Sequence, residues 1–336
     1  MMAKHIIVDA FGGDEAPLCN IQGAADAVKE LGVTVTLVGD QQKIEACAKE
    51  NNISLAGMTI VHTDEVMGMH DTPTDIVKAK RGTSMGVALD LLANGEGDGL
   101  VSAGSTGALL TGATLIVKRI KGIKRPALAT LVPTPDGAYL LLDSGANAEC
   151  RPEMLVDFAV MGNEYMKRVA GLESPRIGLL NVGTEDTKGD TLRQETYALL
   201  KASDLNFVGN VEARDVPAGA CDVLVTDGFS GNVVLKLTEG VAVTFFKLIK
   251  RTLMSKFKTK IGALLIKKDL GGLKRLMDYS EVGGAPFIGV KAPVIKAHGS
   301  SNAKAIKNAI RQAALFAESG LIQAVGEAVA PGKKEE

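Results

Sequence analysis

Short apolar runs that stop in polar, glycine-bearing loops recur along this chain, and one of them governs the reading of the rest. It is Gly99-Leu100-Val101-Ser102-Ala103-Gly104-Ser105-Thr106-Gly107-Ala108, which passes directly into a helical pattern from Ala108 to Lys118. A buried strand, a tight turn and a helix N-terminus follow from that order of residues. Backbone N–H groups at such a junction lack helical partners, and the helix dipole favours negative charge there. Ser102, Ser105 and Thr106 add hydroxyls, while the glycines let a ligand approach the backbone. The stretch therefore reads either as an anion cradle, most simply for phosphate, or as an ordinary strand-to-helix turn.

The same unit repeats. His5 to Ala10 reads as a strand ending in Asp9-Ala10-Phe11-Gly12-Gly13-Asp14, with a helix from Pro17 closed by Gly32. Val33 to Val38 and Met58 to His62 are further strands around a helix from Gln41 to Glu50. A helix from about Thr74 to Asn94 carries Lys78, Lys80 and Arg81 within one turn. Ala127 to Val132 and Tyr139 to Leu142, split by Pro133-Thr134-Pro135-Asp136-Gly137, predict a hairpin that interrupts the parallel pattern. Asp143-Ser144-Gly145-Ala146-Asn147 follows, then a helix from Pro152 to about Ala170. Strands at Arg176–Asn181, Phe207–Val211 and Val223–Val225 each end in polar residues, among them Lys188 and Asp227 to Asn232. Strand–helix alternation predicts βαβ units in a mostly parallel sheet, with the strand-end loops sharing one cleft.

Between Val241 and Tyr279 the pattern changes to apolar residues at helical spacing with Lys and Arg between them. Leu264, Leu265, Leu270, Leu273 and Leu276 carry part of the apolar set, and Lys274 and Arg275 part of the basic one. Breaks at Gly262 and Gly271-Gly272 predict two amphipathic helices, suited to a dimer interface, an anionic lipid surface or both. A final strand or loop around Gly289 to Ile295 leads to His298-Gly299-Ser300-Ser301 and a last helix from Ala303 to about Val325. Residues 1–330 thus read as one two-lobed α/β domain with a basic helical pair inserted at 241–280, and 331–336 as a charged tail.

A net charge of −1 and 4% aromatic residues argue against nucleic acid as partner. Cys19, Cys47, Cys150 and Cys221 form no paired motif, and no secretory signal opens the chain, so reduced thiols in the cytoplasm are expected. No apolar run is long enough to span a bilayer, which leaves peripheral membrane contact open. The dinucleotide and P-loop fingerprints are absent, as is the Gly-x-Ser-x-Gly elbow. His5, His62, His70 and His298 lack metal-ligand spacing, so neither a metal nor a cofactor is expected. Asp9, Asp14, Asp143 and Asp227 at strand ends read as caps or as catalytic carboxylates, and Lys188 as a salt-bridged loop residue or an anion ligand.

Several stretches in order carry a resemblance: Val8-Asp9-Ala10-Phe11-Gly12-Gly13-Asp14, Ser102 to Ala108, Leu142 to Asn147, Asn181 to Glu185 with Lys188-Gly189, Gly209 to Glu212, Thr226 to Asn232 and His298 to Ser301. Together they resemble the phosphate acyltransferase family of bacterial phospholipid synthesis. Phe11, Ser105 and Ala213 stand where that family usually has Met, Asn and Gly. The resemblance implies a three-layer α/β/α fold of the isocitrate/isopropylmalate-dehydrogenase type and a homodimer. It implies transfer of a fatty acyl group from acyl carrier protein to inorganic phosphate. The acyl phosphate would feed a membrane acyltransferase that acylates glycerol 3-phosphate. On that basis Ser102, Gly104, Ser105, Thr106 and Lys188 are expected to bind phosphate. Asn232 or His298 would hydrogen-bond the oxyanion or leaving sulfur, and Asp227 would orient a donor or act as base. Lys78, Lys80 and Arg81 are candidates to meet the acidic carrier protein. A phosphotransacetylase-like enzyme using acyl-coenzyme A and a non-catalytic anion- or lipid-binding regulator are the alternatives.

Overall fold

A computed structural model describes residues 3–268, 271–272 and 279–330. The apolar residues Leu270, Leu273 and Leu276, the cations Lys274 and Arg275, and the tail 331–336 lie outside the described residues. Eleven strands form one sheet in the order β3-β2-β1-β4-β11-β10-β5-β6-β9-β7-β8. They are β1 His5–Asp9, β2 Thr34–Gly39, β3 Met58–His62, β4 Gly99–Ser102, β5 Ala127–Thr134, β6 Gly137–Leu142, β7 Ile177–Asn181, β8 Phe207–Glu212, β9 Val223–Val225, β10 Ala285–Ile288 and β11 Val294–Lys296. The central strands are buried on both faces, as near-continuous apolar runs require. Helices cover both faces, among them α1 Leu18–Leu31, α2 Gln41–Glu50, α3 Ser84–Ala93, α4 Thr106–Gly112, α5 Pro152–Arg168 and α6 Thr191–Lys201.

The sheet is mostly parallel, but its two halves run against each other. Strands β1 to β4 and β11 share one direction, whereas β6 to β9 point the opposite way across antiparallel β10 and β5. The strand-end loops therefore do not gather on one edge, and the expected single cleft separates into two clusters. Register decides how far apart they lie. Leu100, Val294, Phe287 and Leu128 stand in one row, and the next residue of β5, Ala129, pairs with Leu142, the last residue of β6. Ser102, the end of β4, is only two residues beyond that row. The two sets of strand ends thus reach almost the same level of the sheet from opposite directions.

Four readings of local structure need correction. The helix expected from Thr74 to Asn94 is a 3-10 turn, Pro73–Val77, and α3, and Lys78, Lys80 and Arg81 occupy the loop between them. The expected last helix is two helices, Ala303–Glu318 and Leu321–Ala328, divided at Gly320 in the left-handed region (φ 68°). Two strands, β10 and β11, fill the middle of the sheet where one strand or loop was expected. Finally, α7 runs unbroken for 26 residues, Gly228–Leu253, about 39 Å at 1.5 Å per residue. Its partner α8, Phe257–Leu265, follows a break at 254–256, and Gly262 lies inside α8. Only Gly228 and Gly231 of α7 are buried, and none of α8. Beyond Val234 and Leu235, which pack against the core, the pair stands out with most of its large apolar side chains in the open.

Candidate active site between the strand-end clusters

In the first half, β1 and β4 end side by side around a buried carboxylate. Asp9 accepts 2.7 Å hydrogen bonds from the Ser84 and Ser102 hydroxyls and a third from the Phe11 amide at 3.2 Å. Burial pushes its carboxyl above the ordinary value, against the pull of those donors. The Asn20 amide group donates to the Asp9, Ala10 and Gly12 carbonyls and so clamps the loop after β1. Ser102 also accepts from the Gly104 amide at 3.1 Å. With its proton on Asp9, the Ser102 hydroxyl shapes the turn and has no donor left for a ligand. A side chain at Gly12 would bring its Cβ within 2.7 Å of both Asp9 Oδ2 and the Gly104 amide nitrogen, so glycine is required where these loops meet. Ser105 precedes α4 without capping it, and Thr106 opens the helix.

Lys296 was missed by the sequence reading. It is the last residue of β11, paired with Ser102, and its ammonium donates to the Ala103 carbonyl at 3.3 Å and to the Ala297 carbonyl. Burial pushes it down to about 8, opposed by Asp9 and Asp14. The signal was a single cation closing the apolar run Pro293-Val294-Ile295, one residue before Ala297-His298. His298 follows with Nδ1 2.8 Å from the Ser300 hydroxyl. Burial, then the nearby Lys236 and Lys296 charges, hold its imidazole below the ordinary value, which favours the neutral ring.

In the second half, Asp143 accepts from the backbone amides of Leu128, Gly145, Ala146 and Asn147 and from the Asn147 side chain, at 2.6–3.2 Å. Asp227 caps α7 by accepting from the Ser230 amide at 2.8 Å and pairs with Arg193, which also donates to the Ser230 hydroxyl at 3.0 Å. The start of α7 rests directly on the Asp143–Asn147 loop. A Cβ at Gly231 would lie 1.9 Å from the Asp143 carbonyl oxygen, so only glycine fits there. Lys188 is exposed in the loop after β7, where the Asn181 side chain donates to its carbonyl at 3.1 Å.

One face of α7 links the clusters. Gly228, Asn232 and Lys236 are four residues apart and so stack on one side of the helix. Gly228 donates to the Asn147 carbonyl at 2.7 Å, Asn232 lies against Gly145, and the Lys236 charge reaches Lys296 and His298. Of the expected site residues, Ser102, Gly104, Ser105, Thr106 and His298 thus belong to the first cluster. Lys188, Asp227 and Asn232 belong to the second, with Asn232 turned along the face that meets the first. Lys78, Lys80 and Arg81 occupy the loop that leads to Ser84 and turn their charges elsewhere: Lys78 is exposed, Lys80 pairs with Asp71 at 3.4 Å, and Arg81 is held by Asp90 through two bonds of 2.7 and 3.0 Å.

Among solved structures the fold is that of the phosphotransacetylases. It matches the phosphotransacetylase EutD of Staphylococcus aureus with a TM-score of 0.61 at 18% identity, over 94% of each chain. A phosphotransacetylase of Streptococcus pyogenes gives a TM-score of 0.62 at 20% identity, also over 94% of each chain. At such identities the likeness concerns fold alone. Sequence goes further: residues 4–324 match the model of the fatty acid synthesis protein family, and the chain belongs to that family. It is 51% identical over 310 residues to a phosphate acyltransferase of Oceanobacillus iheyensis, covering 92% of both chains. A phosphate acyltransferase of Lysinibacillus sphaericus is 50% identical over 326 residues, covering 96% of this chain and 98% of the other.

Proposed function

We propose that this protein is a phosphate acyltransferase that moves a fatty acyl group from acyl carrier protein to inorganic phosphate. The observation that carries the reading is the grouping of Lys236, Lys296 and His298 beside the turn that follows β4. Burial, and then the nearby Lys236 charge, lower the proton affinity of Lys296, and a buried ammonium beside a second cation is costly unless an anion accompanies it. A phosphate oxygen attacks the thioester carbonyl, the C–S bond breaks, and the carrier leaves as thiolate, which then takes a proton. No covalent enzyme intermediate is needed, because the thioester is already activated; the protein's work is positioning and electrostatic.

In this reading the amides of Ser105 and Thr106, with Lys188, bind phosphate, and Lys296 supplies charge from beneath. Asn232 and the neutral His298 donate to the developing oxyanion or the departing sulfur. Asp227, held by Arg193 and Ser230, orients the start of α7 and thereby Asn232. The mixed anhydride formed suits a membrane acyltransferase that acylates glycerol 3-phosphate. Among the described residues no helix is long and apolar enough to cross a membrane. The bare apolar face of α7 and α8, with Phe245 58%, Leu264 72% and Leu265 79% exposed, supports a homodimer at the root of the pair and an anionic membrane at its tip. Flotation with liposomes should fail for Leu264→Asp/Leu265→Asp, and undiminished binding removes the tip from the membrane. Incubation with long-chain acyl carrier protein and phosphate should yield acyl phosphate. Turnover on acyl-coenzyme A with none on the carrier thioester overturns the donor assignment.

A further inference from the structure

Downstream of the turn after β4, the chain carries five cations in eight residues, Lys118, Arg119, Lys121, Lys124 and Arg125, and no acidic residue between Asp98 and Asp136. All five are exposed, and exposed Lys291 joins them because its amide donates to the Lys118 carbonyl at 2.9 Å. Among the described residues only Lys124 has a carboxylate partner, Asp157 at 3.8 Å. An open groove of about 420 Å³ runs through this patch, with Leu115, 57% exposed, on its apolar wall. By contrast, the cations at 80 and 81 are already neutralised by Asp71 and Asp90.

The patch is joined to both halves of the candidate site. Lys118 ends the π-helical continuation of α4, so it lies at most about 18 Å along the axis from Thr106, taking the α-helical rise of 1.5 Å per residue as the upper limit. Arg125 precedes Pro126, whose carbonyl accepts from the Asn147 side chain at 2.8 Å. An unneutralised basic groove with an apolar wall, set one helix length from the reacting atoms, fits a protein that brings its thioester on an extended arm.

We infer that the groove between Leu115, Lys118, Lys121 and Lys291 is the docking surface for the acyl donor, a small acidic protein presenting an acidic helix with an apolar residue at its centre. The inference rests on the acyltransferase reading and adds the surface that selects the donor. Charge complementarity of this kind governs encounter and salt dependence more than the chemical step.

The test uses the full-length protein with Lys118→Glu/Lys121→Glu/Lys291→Glu, beside Lys78→Glu/Lys80→Glu. Binding of fluorescently labelled acyl carrier protein is read by anisotropy, and turnover is read separately with acyl carrier protein and with acyl-pantetheine. The triple variant should bind the carrier about tenfold or more weakly and lose most of the salt dependence of binding. Its KM for phosphate and its rate on acyl-pantetheine should stay at wild-type values. Carrier binding undiminished in the triple variant, or none by the wild type, overturns the surface. Wild-type binding that the triple variant loses, without acyl phosphate from any thioester, overturns the reaction and leaves the surface standing.

Discussion

At the end of β1 a buried aspartate is held chiefly by two hydroxyls, whereas at the end of β6 one is held chiefly by four backbone amides. Asp143 has donors on every side, all from its own loop and the start of β5, so it can hold nothing else. Asp9 has rotatable partners, Ser84 and Ser102, and a cation, Lys296, whose charge answers its own. A carboxylate saturated by backbone fixes a fold; one set among hydroxyls and a lysine can respond to a ligand. The second half thus supplies a rigid ledge for α7, and the first half the adaptable, charged surface.

The largest effect expected is on Asp143. Asp143→Ala leaves the backbone N–H groups of Leu128, Gly145, Ala146 and Asn147 without their acceptor, those of Leu128 and Asn147 buried, and should cost about 3–5 kcal/mol in a denaturant titration, at about 1–3 kcal/mol for each buried donor left unsatisfied. Asp143→Asn should be nearly as harmful, since an amide nitrogen would face amide donors. Asp9→Asn should cost clearly less, because Ser84 and Ser102 can rotate from donor to acceptor. Equal losses for the two asparagine variants would break the comparison.

Lys296 comes next, with an effect on catalysis. Lys296→Met should raise the KM for phosphate about thirtyfold or more, as loss of a buried charged partner costs about 2 kcal/mol or more. Its pH dependence has a definite sign. Folding lowers its proton affinity from 10.5 to about 8, so the cost of burying the ammonium is present below pH 8 and is relieved as pH rises towards 10.5. Phosphate binding moves the other way, because the ammonium that attracts the anion is lost above about pH 8. In wild type the KM for phosphate should climb above that pH. Lys296→Arg, charged throughout, should remove that limb even if its absolute KM is worse. A pH profile identical in the two proteins would exclude Lys296 from the anion site.

These contrasts were only half legible in the sequence. Local pattern located α2 and β3 to the residue, because Asp40 caps the helix and a five-residue run with Met58, Ile60 and Val61 makes the strand. It also found both aspartates at strand ends. It could not show that the halves of the sheet oppose each other, since that depends on β10 and β11, four and three residues long, inserted between β4 and β5. Such short strands carry no periodicity of their own; their pairing across the sheet creates them. The same insertion brings Lys296 beside Ser102, two residues separated by most of the chain. The cations at 78, 80 and 81 misled for the converse reason: spacing suggested a helical face, while Pro73 and Thr83 delimit a loop whose charges are largely paired.

Lys188 measures how far the second half shares in binding. It is exposed, and only its backbone is fixed, through Asn181 and Glu185. An exposed ammonium on a flexible stem contributes less than a buried one, so Lys188→Ala should raise the KM for phosphate about tenfold, less than Lys296→Met, with stability unchanged. An unchanged KM would confine phosphate to the first half. A rise larger than that of Lys296→Met would reverse the comparison and make the loop after β7 the principal anion site.

The smallest effect belongs to Arg81. Its guanidinium donates from Nε and Nη2 to Asp90, and the pair lies in water, where attraction is screened and side-chain ordering opposes it. Arg81→Ala should leave the denaturation midpoint, the KM for phosphate and carrier binding within experimental error of wild type. The informative partner is Asp90→Ala, which frees Arg81 without removing it. If freeing Arg81 strengthens carrier binding while deleting it does nothing, the loop after Pro73–Val77 is a basic surface kept neutral by its own carboxylates. If Arg81→Ala alone weakens carrier binding, the bidentate pair opens on encounter, and the acidic partner is met on this side of the molecule as well as at the groove beyond α4.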